Sequence, residues 1–134
     1  MDLAKHLIRS GIVSNVYPVR CTVRVTFPDA DNLVTDELPL MLHKGQFVMP
    51  AVGDSVVCLF LGNGISSGFC LGTFYTDADT PPTQKVDDIG TWFPDGSYIY
   101  YSASEGRMHI KAASEVIIHG DLKVTGTIYG AIAP

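Results

Sequence analysis

From Thr91 to Gly130 the chain is a ribbon of very short apolar/polar alternations, and one copy of such a ribbon cannot bury its own apolar side. The segment opens Thr91-Trp92-Phe93-Pro94-Asp95-Gly96-Ser97-Tyr98-Ile99-Tyr100-Tyr101 and is then broken at Gly106, Ser114, Gly120-Asp121, Gly126 and Gly130. Between the breaks, apolar side chains recur at Met108, Ile110, Val116, Ile118, Leu122, Val124 and Ile128. Successive strand residues point to opposite faces, so most of these share one face while Lys111, His119, Lys123 and Thr125 take the other. The apolar side chains are too few to offset the entropy of ordering the segment as an isolated chain. Three chains wound about a common axis remove the difficulty, since each apolar face then closes against the other two. Repeated tight turns with a single apolar stripe suit such a three-sided prism better than a two-chain sandwich. We therefore expect a trimer core of Met108, Ile110, Val116, Ile118, Leu122, Val124 and Ile128.

The region before the ribbon reads as five strands in a small all-β domain. Gly11 to Tyr17 ends at Pro18; Cys21 to Phe27 alternates cleanly and stops at Pro28-Asp29; Val34 to Leu42 surrounds Pro39, which suits an edge or bent strand. Val56 to Leu61 is a continuous apolar run, as expected of a strand buried on both faces. Gly68 to Tyr75 follows across Gly62-Asn63-Gly64-Ile65-Ser66-Ser67, which is turn chemistry and predicts a hairpin. Five short strands with glycines at the bends favour a closed barrel, which has no vulnerable edge, and an OB-type five-stranded barrel is the specific expectation. Ahead of it, Asp2 to Arg9 fits a short helix capped by Asp2, with Leu3 and Leu7 on one face. The expected organisation is a barrel with this helix over residues 1–75, an acidic proline-containing linker over 76–90, and a short intertwined trimeric β-helix, or β-prism spike, over 91–134.

Composition narrows the function classes. The chain has 134 residues, 46% hydrophobic, and a mean hydropathy of +0.21, which fits order rather than disorder. No apolar run approaches the roughly 18–20 residues that span a bilayer. Met1 to Ser10 lacks the apolar centre of a signal peptide, so synthesis in a cytoplasm is expected. The net charge is −5. Its excess falls in residues 76–90, which hold four acids and one base, leaving both flanking regions near neutrality. That is not the basic field of a nucleic-acid binder, and no nucleic-acid partner is expected. Cys21, Cys58 and Cys70 form no C-x-x-C pair and sit in apolar runs, as small buried hydrophobes do.

Several stretches resemble the phage baseplate assembly protein V family, the central spikes of contractile tails. Arg24-Val25-Thr26-Phe27-Pro28-Asp29, Leu38-Pro39-Leu40, Met49 to Phe60 and Gly68 to Tyr75 look like that family's OB domain. Phe93-Pro94-Asp95-Gly96-Ser97, with Ile118-His119-Gly120-Asp121-Leu122-Lys123-Val124-Thr125-Gly126 beyond it, is similar to the start of its β-helical spike. The order and spacing of these motifs, more than any one of them, carry the resemblance. It implies a homotrimer made in a bacterial cytoplasm and assembled into the tail baseplate of a phage or a phage-derived bacteriocin. Its partners would be a baseplate hub protein and the host cell envelope, punctured on sheath contraction. Many such spikes end in a His-x-His pair that, in threes, holds iron at the apex. None occurs here, so no apical iron is expected, and the tip is either apolar packing or capped by a separate tip protein. The alternative is an OB-fold module for glycans or single strands that its tail trimerises.

Other motifs point to no chemistry. Gly64-Ile65-Ser66-Ser67-Gly68 matches the G-x-S-x-G nucleophile pattern, but that elbow needs a strand, a turn and then a helix, and a strand follows here. His6, His43, His109 and His119 have no ligand spacing, and Asp77, Asp79, Asp87 and Asp88 lack a calcium-loop pattern. Thus no catalytic residue, metal or cofactor is expected. Trp92, Phe93, Tyr98, Tyr100 and Tyr101 cluster beside the linker. Trp92, Phe93, Tyr98 and Tyr100 in particular are expected to form a collar between barrel and spike.

Overall fold

A computed structural model describes residues 7–62 and 67–130. The chain divides into two compact units, Met1–Pro81 and Pro82–Pro134, and among the described residues the regular elements are strands apart from helical Leu7 and a single 3-10 turn at Pro28–Ala30. The all-β expectation holds.

In the first unit the strands are β1 (Ile8–Tyr17), β2 (Thr22–Phe27), β3 (Leu33–Val34), β4 (Leu38–Pro39), β5 (Ser55–Phe60) and β6 (Gly68–Thr73). They form an antiparallel ladder in the order β3-β2-β1-β5-β6, with β4 also on β2. The long β1 serves two partners: Ile12 to Tyr17 pair with β2, and Ile8 to Ile12 pair with β5. Passing from one partner to the other bends the strand, and the register slips between Val13 and Asn15. Gly11 sits at the crossing because a Cβ there would lie 2.6 Å from Val25 Cγ1 and 2.8 Å from the Phe27 ring.

Period-two alternation builds the core. Val23, Val25 and Phe27 of β2 face Val56, Cys58 and Phe60 of β5, joined by Val13, Leu38, Leu40 and Cys70, all buried. The expectation that Val56 to Leu61 is buried on both faces is corrected: Val57 and Leu59 are only half-buried and Leu61 is exposed. Apolar composition alone does not separate a two-sided strand from one that spends aliphatic residues on its outer face. Cys58 and Cys70 lie opposite each other across β5–β6, both buried and free, and Cys21 packs against the core half-buried. The hydrogen bond with Cys70, and then burial, push the Cys58 thiol up, so it stays protonated.

The stretch expected as one bent strand, Val34 to Leu42, is two short ones. Thr35 interrupts it by turning its own side chain into the ladder: the Val25 N–H donates to Thr35 Oγ1 at 3.0 Å, and that hydroxyl donates to the Asp36 carbonyl at 2.7 Å. After β4 the chain crosses to β6, where Leu40 and Cys70 form a single parallel bridge and Met41 N–H donates to the Cys70 carbonyl at 2.8 Å. Of the expected helix over Asp2 to Arg9, residues 1–6 lie outside the described residues. Leu7 is helical, but Ile8 and Arg9 belong to β1, where they pair with Leu59 and Cys58.

Glu37 fixes the turn into β4 by accepting from Arg20 Nε at 2.8 Å, Arg20 Nη2 at 3.2 Å and Thr22 Oγ1 at 2.6 Å. These donors, Arg20 first, hold its carboxyl below the ordinary carboxylate value of 4.5. A carboxyl depressed on folding stabilises the fold above its unfolded pKa and stops doing so as pH falls through its lower folded pKa. The stability gap between wild type and Glu37→Gln is therefore expected to close on acidification through that range. Urea midpoints measured at a series of pH values check this, and a gap constant with pH would contradict it.

The second unit is a three-stranded meander, β7 (Asp88–Trp92), β8 (Tyr98–Ser102) and β9 (Arg107–Lys111), in the order β7-β8-β9. β7 begins inside the stretch expected as linker, so Asp88 to Gly90 are paired strand, and Thr83 Oγ1 ties down Asp88 Oδ2 at 2.7 Å. Earlier in that stretch Thr76 and Asp79 close a tight turn through two backbone hydrogen bonds of 3.0 and 3.2 Å. The Pro94-Asp95-Gly96 turn forms as expected. Gly96 takes φ +91°, Ser97 N–H donates to Asp95 Oδ1 at 2.9 Å, and Phe93 N–H donates to the Ser97 carbonyl at 2.8 Å.

Candidate assembly interface

The meander has two unlike faces. Register places Ile89, Tyr101 and Met108 in one cross-strand row, and Thr91, Ile99 and Ile110 in the next. All six side chains are on the same face and all are exposed. The opposite face carries Trp92, Tyr98, Tyr100 and His109, each half-buried by its neighbours. There Tyr100 is the middle of a three-ring stack, 5.1 Å from Trp92 at 24° and 4.8 Å from His109 at 20°. Tyr98 meets Tyr100 edge-on at 5.2 Å, Lys111 Nζ lies 5.8 Å over Tyr98, and His109 Nε2 is 2.9 Å from Glu105 Oε1. Packing within this face, and then the charge of Asp88, push the Tyr100 hydroxyl up. Stacked geometry of this kind adds to area burial, so the aromatic face is largely satisfied within one chain. The aliphatic face is not.

Past β9 the described chain, to residue 130, forms no further strand. Ala113 N–H donates to Ser97 Oγ at 3.1 Å. From 114 to 130, among the described residues, no backbone group pairs with another within the chain. Bends fall at 113–114, 119–120 and 125–126, a spacing of six, with a further bend at 130. The apolar residues keep the same step, with Val116, Leu122 and Ile128 in one phase and Ile118 and Val124 in another. Water satisfies those exposed amides and carbonyls, so it is the unburied aliphatic side chains beside them that leave this segment without a core of its own. Within the described part of the second unit the only buried side chain is Ser102.

The sequence-derived site residues therefore fall in two places. Met108, Ile110, Val116, Ile118, Leu122, Val124 and Ile128 are each 47–68% exposed on the apolar stripe. Trp92, Tyr98 and Tyr100 lie on the other face of the meander, and Phe93 lies beyond the end of β7. Tyr101, grouped with the aromatics in sequence, has the opposite parity and joins the apolar side. Two features were missed: Ile89, Ile99 and Tyr101 as members of the apolar face, and the six-residue step. The step was present in the spacing of Val116, Leu122 and Ile128.

In the first unit, Met41, Phe47 and Val48 are exposed, and a groove of about 470 Å³ is lined by Met41, Leu42, His43, Gln46, Val48 and Leu71. Ser66 lies outside the described residues. Among the described residues no group of three His, Cys, Asp or Glu side chains is placed to hold a metal. No known family's sequence model matches the chain, and no curated protein matches it in sequence.

Proposed function

We propose that this protein is the central spike of a contractile-tail baseplate: a homotrimer whose second unit is a short intertwined β-prism and whose first unit docks on a baseplate hub. The observation that carries this reading is the unpaired, six-step apolar ribbon from 114 to 130. A ribbon that bends every six residues presents the same apolar sequence again after each corner. Copies staggered by one corner supply each other with both backbone partners and apolar contacts. Closing three chains this way leaves no free strand edge, as an object driven against an envelope requires.

The first unit is read as an OB-type barrel. In support, β1 pairs on both sides with β2 and β5, and the Leu40–Cys70 parallel bridge brings the two ends of the ladder together. The exposed Met41, Phe47 and Val48 beside the His43 groove are the proposed hub contact. The work of penetration comes from the sheath, so the spike needs no catalytic residue. A tip-capping protein beyond residue 130 remains compatible with this design.

Sedimentation equilibrium of the full chain and of a truncation ending at Thr76 tests the spike. The expected full-length mass is three times 14.5 kDa, with the truncation monomeric. A full-length monomer would leave the ribbon uncovered and remove the basis for the proposal.

A further inference from the structure

We propose that self-association begins on the meander itself. The face carrying Ile89, Ile99, Tyr101, Met108 and Ile110 is buried against two further copies of this chain, and the Trp92–Tyr98–Tyr100 face points outward. This rests on the trimeric reading above and fixes where, and with which side, the chains meet.

Charge is the first argument. Asp88, Arg107, His109 and Lys111 all have the parity of the aromatic face, and the two rows of the aliphatic face hold no charge. Burying that face desolvates only the hydroxyls of Thr91 and Tyr101, whereas burying the other would desolvate several ions. Packing is the second. The aromatic rings already cover one another, while every side chain of the aliphatic face stays exposed, from 38% at Tyr101 to 68% at Ile89 among its large apolar members. Continuity is the third. Met108 and Ile110 lead through the bend at 113–114 into Val116 and Ile118, so one apolar stripe runs from β9 into the ribbon. The occupant is a copy of the chain because the meander face continues into the 114–130 ribbon, whose six-residue apolar step matches itself. An unrelated partner has no reason to share that step.

The arrangement reassigns the aromatic cluster. Trp92, Tyr98 and Tyr100 become an outer facing and not a collar between chains.

Peroxide oxidation of the native full-length protein, followed by mass spectrometry, reads Met108 without any substitution, because thioether oxidation requires access. In a preparation of trimer mass, Met108 is expected to oxidise at least about tenfold more slowly than free methionine. Trp92→Ala is expected to keep the trimer mass, and Ile99→Asp to lose it. Met108 oxidising at the free rate in a trimer, or Trp92→Ala dissociating it while Ile99→Asp does not, would overturn the inference and leave the trimer standing. A monomeric wild type would overturn both. Should Ile99→Asp fail to fold, the Met108 rate still decides.

Discussion

Phe27→Ala is expected to raise the reactivity of the buried thiols Cys58 and Cys70 at least about a hundredfold in the native full-length protein. Phe27 is fully buried, its ring centroid 6.0 Å from that of Phe60 at 72°, with the Arg9 guanidinium carbon 4.0 Å from its centroid. Gly11 leaves room for that ring, since a Cβ there would clash with it. Truncating a buried Phe costs about 3–5 kcal/mol, and each 1.4 kcal/mol is about a tenfold change in the opening equilibrium. Cys58 and Cys70 react only when the unit opens, so labelling tracks that equilibrium, and half-buried Cys21 provides an internal fast reference. Leu61→Ala, at an exposed position just past the end of β5, should change the rate by less than about threefold, matching the ±0.5 kcal/mol usual for surface sites. Equal rates for wild type and Phe27→Ala would mean that Phe27 does not hold this core.

Gly90→Ala should abolish β7–β8 pairing and leave those thiols protected. Gly90 lies opposite Tyr100, and a Cβ there would fall 2.3 Å from the Ile99 carbonyl oxygen and 2.4 Å from Tyr100 Cα. Backbone atoms cannot swing aside as the end of a long side chain can. The strands must part, and the Trp92–Tyr100 stack goes with them. Trp92 is the only tryptophan, so its emission reports this meander alone. A shift to the emission of a fully hydrated indole is expected, with Cys58 and Cys70 labelling at the wild-type rate because the first unit has its own buried core. Native-like emission from Gly90→Ala would show that the meander tolerates the added carbon, contrary to this packing.

Why Gly90 escaped notice in the sequence shows how far the residues alone reach. Between Asp88 and the close approach of Tyr100, Ile89 is a single apolar side chain in an acidic, proline-flanked stretch, and glycine there reads as a breaker. Its reason for being glycine is tertiary. Strands β2 and β5 were legible because each alternates over its whole length, yet the aliphatic outer face of β5 read as burial on both sides. Thr35 splits its strand through a hydrogen bond to a residue ten positions away, which no local pattern records. The assembly face was half legible. Met108, Ile110 and the residues beyond them follow from parity, but Ile89 and Ile99 join the stripe only through cross-strand register. The six-residue step went unread although the breaks at Ser114, Gly120 and Gly126 carry it, because Gly106 and Gly130, grouped with them, fall off the step.

The divided pairing of β1 also has a consequence for the order of folding. β1 and β2 are sequence neighbours across residues 18–21, and β5 and β6 are joined across residues 61–67, so each pair closes cheaply. The seam between Ile8–Ile12 and Ser55–Leu59 is different, since it links parts of the chain far apart in sequence. Closing it orders everything between and can be rewarded only after both hairpins exist. The amino-terminal half of β1 is then the last piece to lock. Its unpaired edge is what a half-made chain presents to its neighbours while the seam is open.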